Sequence, residues 1–222
     1  MSKESYLFEA GMHEERLALV AQKTRGVTIE WGARGVFEGI EGARRTMVDI
    51  ENGFKKFHAQ LMKKAFPEVN FPDETSGMLE TSLIGTLVIE IAGDGKTARG
   101  VWMSLMAALG TEHGKEKPVA VWVWWKSAVD FVKEDGEWRI WHYLKNPLFA
   151  TPYSKDWVEN SLNMPPIPTP GTGKPLLSGH GGNPDRLTTK LYDPYRITRI
   201  PKLQPEPPEP YETFDMTTSY CF

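Results

Sequence analysis

The chain predicts an α+β fold, with helices packed on one side of a curved antiparallel sheet. Helical periodicity fills the N-terminal part, and from Leu79 onward the period switches to strict alternation. The run VAVWVWWKSAVDFVKEDGEWRIWHYL, residues 119–144, then reads as two long strands around a tight turn. Helices first and strands afterwards is the order of an α+β domain.

In chain order, residues 3–23 read as an amphipathic helix with Leu7, Met12, Leu17 and Val20 inward, ended by Gly26. VTIEW (27–31) is a short strand, and Gly32 and Gly35 set a turn before Val36-Phe37. A helix starts near Ile40. It, or a second one after Asn52-Gly53, carries Phe54, Phe57, Leu61 and Ala65 on one face until Pro67 stops it. LETSLIGTLVIEI (79–91) and ARGVWMSLMAAL (98–109) pair across the AGDGKT turn, and a polar loop (110–118) leads into the final hairpin.

Asp135-Gly136 suits a type I′ turn, whose two central residues both need positive φ. A two-residue turn sets Phe131 opposite Ile140, Val129 opposite His142 and Asp130 opposite Trp141. Side chains alternate along a strand, so Trp125, Ser127, Val129, Phe131, Trp138, Ile140 and His142 share one face. Trp122, Trp124, Lys126, Ala128, Asp130, Arg139, Trp141 and Tyr143 share the other. Five tryptophans on one ribbon require cover on both surfaces, which makes a homodimer the expected assembly.

Fourteen of the 17 prolines lie between Pro147 and Pro210, which argues against a second core there. The expected division is a domain over residues 1–146 and an extended Pro-rich arm over 147–222, with a short helix near 155–161. Tyr192, Tyr195, Ile197, Ile200, Tyr211 and Phe214 suggest an arm lying on its own domain or on a neighbouring subunit.

Net charge is −3 with no basic stripe, so nucleic acid is not an expected partner. The one cysteine, Cys221, forms no internal disulfide, and no apolar run reaches the ~18 residues of a membrane span. The N-terminus lacks the layout of a signal peptide, so the expected location is cytoplasmic. No dinucleotide fingerprint, phosphate loop or paired metal-ligand spacing occurs, so no cofactor and no metal are expected. His180-Gly181-Gly182 has no accompanying nucleophile elbow.

The helical first half, WGARGVFEGIEGARR, VIEIAGDGKTARGVW and the closing EDGEWRIWHY resemble the SnoaL-like branch of the nuclear transport factor 2 superfamily. The tail, ending PEPPEPYETFD, resembles a long-tailed subgroup related to diarylpropane γ-formaldehyde lyases. The resemblance implies a cone: a strongly bent sheet wrapped over helices around an apolar pocket. It also implies metal-free and cofactor-free acid–base chemistry on hydrophobic, often aromatic molecules. Relatives of the dehydratase type pair an Asp at the end of the first helical segment with a His on the sheet. ALVAQKTRGVTIEW contains no Asp, so that dyad does not transfer.

Within such a cone, His142 is the first candidate base, since an apolar pocket keeps imidazole neutral. The plainer reading is a core histidine satisfied by one carbonyl. Lys126 would turn inward if the long strand bulges near Trp124-Trp125, and could then hold an oxyanion; otherwise it is an outward lysine. Tyr143 is a second oxyanion donor. Glu30 or Glu90 could orient the imidazole, although a strand glutamate more often faces solvent. Trp102, Ser104, Trp124, Phe131 and His58 are the candidate substrate-binding residues, against ordinary roles in a bent sheet and at a helix edge. The expected function is a cofactor-independent lyase or isomerase acting on an aromatic small molecule. The alternative is a non-catalytic binding or oligomerisation module.

Overall fold

The computed structural model describes residues 1–111, 117–160, 183–188 and 193–221. The Pro-rich stretch 161–182 with His180, Tyr192, and most of the 110–118 loop lie outside the described residues.

The expected first helix is two: α1 (Ser2–Glu9) and α2 (His13–Leu17). Gly11 lies between them at φ +67°, a conformation open to glycine because it has no Cβ to clash. The break rotates the inward face, so Phe8 is buried and Met12 exposed, while Leu17 and Val20 stay inside. After β1 (Thr28–Trp31) and β2 (Gly35–Glu38), α3 (Gly39–Arg44) runs through a π-helical segment (Arg45–Ile50) into α4 (Glu51–Ala65). Asn52-Gly53 therefore starts no new helix, and α4 ends ahead of Pro67. Leu61 is buried on it, whereas Phe57 is exposed.

β3 (Glu80–Ile91), β4 (Thr97–Thr111), β5 (Pro118–Glu134) and β6 (Glu137–Pro152) complete a six-stranded sheet of order β2-β1-β6-β5-β4-β3. The sheet is mixed, because β1 lies parallel to β6 and antiparallel to β2. Asp135 and Gly136 take φ +50° and +84°, the turn expected from their sequence.

Phe131 faces Ile140, as a two-residue turn requires, but the next pairs are Asp130 with His142 and Val129 with Tyr143. One residue, Trp141, is left over on β6. A second bulge leaves out Leu148, between the pairs Trp125–Pro147 and Trp124–Phe149. Because side chains alternate with a period of two, one extra residue moves everything beyond it to the opposite face. The expected pairs Val129–His142 and Asp130–Trp141 are corrected accordingly. Both extra residues lie on β6, so alternation on β5 is unbroken.

The helices cover one face of the sheet, where Trp102, Val129, Ile140 and Tyr143 pack with Leu17, Val20, Ala43 and Met47. On the other face Val101, Ala128 and Leu144 meet Tyr220 and Cys221 of the arm. β6 runs on to Pro152, and the described residues beyond it are tied to the sheet and its turns by main-chain hydrogen bonds. Asp185 N donates to Val36 O (2.9 Å), Gly93 N to Tyr211 O (2.9 Å), and Tyr195 N to Leu148 O (2.6 Å).

The hairpin tip is clamped by Glu134. Its carboxylate accepts from the backbone N–H groups of Gln22 (3.0 Å), Lys23 (3.0 Å) and Thr24 (2.7 Å). Desolvation works against the charge, but these donors outweigh it and hold the pKa down at about 2. Glu134→Ala should cost about 2–3 kcal/mol in urea unfolding at pH 7, since hydrogen bonds to a charged group are among the stronger ones. The sign follows from the lowered pKa: the contribution is present above about 4.5 and disappears as pH falls toward about 2.

Candidate functional site

The helix-covered face carries charge where a plain core would carry none. Arg16 of α2 donates to Glu4 Oε1 from Nη2 (2.7 Å) and Nε (3.2 Å), and to Met47 O from Nη1 (3.3 Å). Nη1 also lies 3.2 Å from His13 Nδ1. A guanidinium only donates, so this Nδ1 accepts and the ring proton sits on Nε2. Burial, then Lys55 and Arg16, depress the His13 pKa to about 3, so the imidazole is neutral at pH 7. Its Nε2 is buried without a partner among the described residues.

Lys145 of β6 reaches this cluster because the Trp141 bulge turns Tyr143 and Lys145 toward the helices. Its Nζ lies 4.6 Å from the ring centre of Trp125, 5.3 Å from Phe8 and 6.0 Å from Trp31. Among the described residues, no carboxylate or carbonyl accepts from it. Burial lowers its pKa, while the charges of Glu4 and Glu51 oppose that. Beside it the Trp125 indole N–H is buried without an acceptor among the described residues.

Three further groups complete the cluster. Burial raises the Glu51 pKa against the pull of Arg16, Lys145 and Arg34, which favours the protonated acid. Burial likewise drives the Tyr143 phenol well above its ordinary value, so it stays a donor. Burial and the nearby Glu51 bring Glu80 to about 7. A carboxyl with a raised pKa stabilises the fold below its unfolded value, and that contribution fades as pH rises through its folded value. The melting temperature of the wild type relative to Glu80→Gln should therefore fall between pH 4.5 and 7 and level off above, measured by calorimetry across that range.

This arrangement offers a lysine biased toward the free amine, three weak acids with raised pKa values, and aromatic walls. Those are the parts of proton abstraction paired with proton return. Among the described residues, no group of three His, Cys, Asp or Glu is placed to hold a metal.

His142 is not part of it. It is fully buried on the arm side, with Nδ1 2.9 Å from Asp130 Oδ2 and 3.0 Å from Ser219 Oγ. Lys126 also faces the arm, and its Nζ donates to Gln204 O (3.0 Å). Glu30 is fully buried and accepts from Thr188 of the arm. Trp124 lies on that same side, with its ring 6.3 Å from Phe149. Tyr143, expected beside Lys126, is on the helix side instead, its ring 6.4 Å from buried Trp102. Ser104 is buried opposite Trp125, and Phe131 packs at the edge of the core. His58 is buried on α4, its ring 6.2 Å from Phe54, with its pKa lowered by burial.

Sequence reasoning did not single out Lys145, Glu51, Glu80, Arg16, Glu4 or His13. The i+2 spacing of Tyr143 and Lys145 put them on one face in advance, but nothing local placed the bulge that chose which face. A recess of about 860 Å³ lies under the arm, lined in part by Arg99, Lys202, Tyr211 and Tyr220. Arg99 there is paired with Asp130 (3.3 Å), so the protein itself already uses that cation.

The SnoaL-like domain profile matches residues 24–143. A solved structure from Novosphingobium aromaticivorans, provisionally named a scytalone dehydratase, is 15% identical, with a TM-score of 0.47, over 70% of this chain and 84% of that one. A type 2 LinA hexachlorocyclohexane dehydrochlorinase is 12% identical, with a TM-score of 0.49, over 70% and 84%. The type 3 LinA from Novosphingobium barchaimii is 12% identical, with a TM-score of 0.47, over 70% and 86%. No curated protein matches the chain.

Proposed function

The chain belongs to the SnoaL-like domain family, and on that premise we propose that it is a cofactor-independent lyase for a hydrophobic aromatic small molecule. The observation that carries this reading is the Lys145 amino group. It is held among Phe8, Trp31 and Trp125 with no direct anionic partner among the described residues.

In its amine form Lys145 takes a proton from the substrate. For loss of water the proton comes from carbon, its electron pair becomes the new C=C bond, and the C–O bond breaks. The departing oxygen then takes a proton from Tyr143 or Glu51. For loss of formaldehyde from a 1,3-diol side chain, the proton comes from the terminal hydroxyl and the C–C bond breaks. The same acid protonates the leaving hydroxyl at the far carbon, so the products are formaldehyde, an alkene and water. Placing the reaction away from bulk water strengthens each of these charge interactions.

The test is incubation of the full chain, with no cofactor added, against aromatic β-hydroxy compounds and 1,3-diols. Conjugated product is followed by absorbance and formaldehyde by a colorimetric assay. Binding of several aromatic ligands with turnover of none would favour the binding-module alternative. The same reading has a cytoplasmic homodimer meeting through the groove of Leu105, Trp122, Trp124, Phe149, Tyr153 and Trp157.

A further inference from the structure

Arg34 closes the short helical turn Gly32–Arg34 that follows β1. Its guanidinium carbon lies 4.4 Å from the ring centre of Trp31 and 5.1 Å from that of Phe54. Neither ring offers an oxygen or nitrogen acceptor in those contacts, so the N–H donors of the guanidinium are not taken up by them. Among the described residues no oxygen accepts from them, and Glu51 acts on this charge only through space. Arg16, by contrast, is fully engaged by Glu4, His13 and Met47 O. Arg34 is also desolvated enough for burial to lower its pKa, so its charge is held there against a cost.

The second basic group lacking a direct partner, Lys145, sits over the same Trp31 ring. A guanidinium and an amino group sharing one indole, with Phe54 and Trp125 at either side, make a site for an anion attached to a flat ring. A carboxylate fits the guanidinium fork with two parallel hydrogen bonds, which a neutral group of the same shape cannot match. We propose that the ligand of this face is an aromatic carboxylate, anchored in the plane of Arg34 with its ring beside Trp31. This rests on reading the helix-covered face as the ligand site. It does not require turnover, because the anchor is a binding group.

The test compares 2-naphthoate with its neutral near-isostere 2-naphthamide on the full chain by titration calorimetry. The carboxylate should bind at least about tenfold more tightly, the scale set by charge-assisted hydrogen bonds. Arg34→Met should bring the two within about threefold, chiefly by weakening the carboxylate. Arg34→Lys, which keeps the charge but not the fork, should retain part of the preference. If Arg34→Met does not fold by circular dichroism, Arg34→Gln serves in its place. Equal binding of the two probes, no binding of naphthoate, or a preference that survives loss of the guanidinium would overturn the proposal. Turnover of neutral substrates with no carboxylate preference would sink this inference alone. Carboxylate binding without turnover of any compound would sink the lyase reading alone.

Discussion

Lys145→Met is expected to lower turnover of the substrate found by screening by about 10²–10⁴-fold, the usual contribution of one positioned acid–base group. The loss should fall on kcat, because the aromatic walls that hold the substrate remain. Methionine is close in length and favours aromatic neighbours, so it should fill the space among Phe8, Trp31 and Trp125 without a cavity. Removing a desolvated amino group should leave the melting temperature unchanged or higher. Lys145→Arg separates proton transfer from charge, since a guanidinium stays protonated at any working pH. A chain with Arg at this position that keeps the wild-type rate would show that position 145 supplies charge and not a base.

Asp130→Ala is expected to detach the C-terminal tail and to cost about 3–5 kcal/mol, the range for breaking a buried charge network by removing one partner. Asp130 is fully buried, and its carboxylate accepts from Ser219 Oγ (2.5 Å), Tyr220 N (3.3 Å) and Arg99 Nε (3.3 Å). His142 Nδ1 lies 2.9 Å from the same group. Without the carboxylate, these donors are left in a dry interface. Cys221 reports on the event because it is the only cysteine, is fully buried, and has its thiol pKa raised well above the ordinary value by that burial. Labelling by a thiol reagent should therefore accelerate by about tenfold or more in Asp130→Ala under native conditions. Unfolding in urea would give the stability change. An unaltered labelling rate, or a cost under about 1 kcal/mol, would mean that the tail is held by apolar packing of Tyr220 and Cys221 and not by this carboxylate.

Much of the architecture could be read from residues alone. The change from helical to alternating periodicity near Leu79 located β3, and Asp135-Gly136 located the hairpin turn, because both signals are local. The resemblance carried by WGARGVFEGIEGARR and EDGEWRIWHY pointed to the family whose profile matches residues 24–143. Gly11 could equally have been tolerated inside one helix, and only the packing of α1 and α2 shows that it breaks it. The parallel pairing of β1 with β6 joins Thr28 to His142, a contact across the whole domain that no local pattern encodes.

A single residue decided which side chains of β6 meet the helices. Alternation put Tyr143 on the face opposite His142, and the structure keeps the two on opposite faces, while Trp138 remains 40% exposed. That opposition follows from the chain alone, since periodicity and turn geometry are set by neighbouring residues. Which of the two groups would meet the helices depended on where β6 absorbs its extra residue, and that depended on the fit of the strand to β5, β1 and the arm. Trp141 absorbs it. A histidine that looked like a base therefore became an anchor for the tail, and a lysine that drew no notice came to stand among aromatic rings.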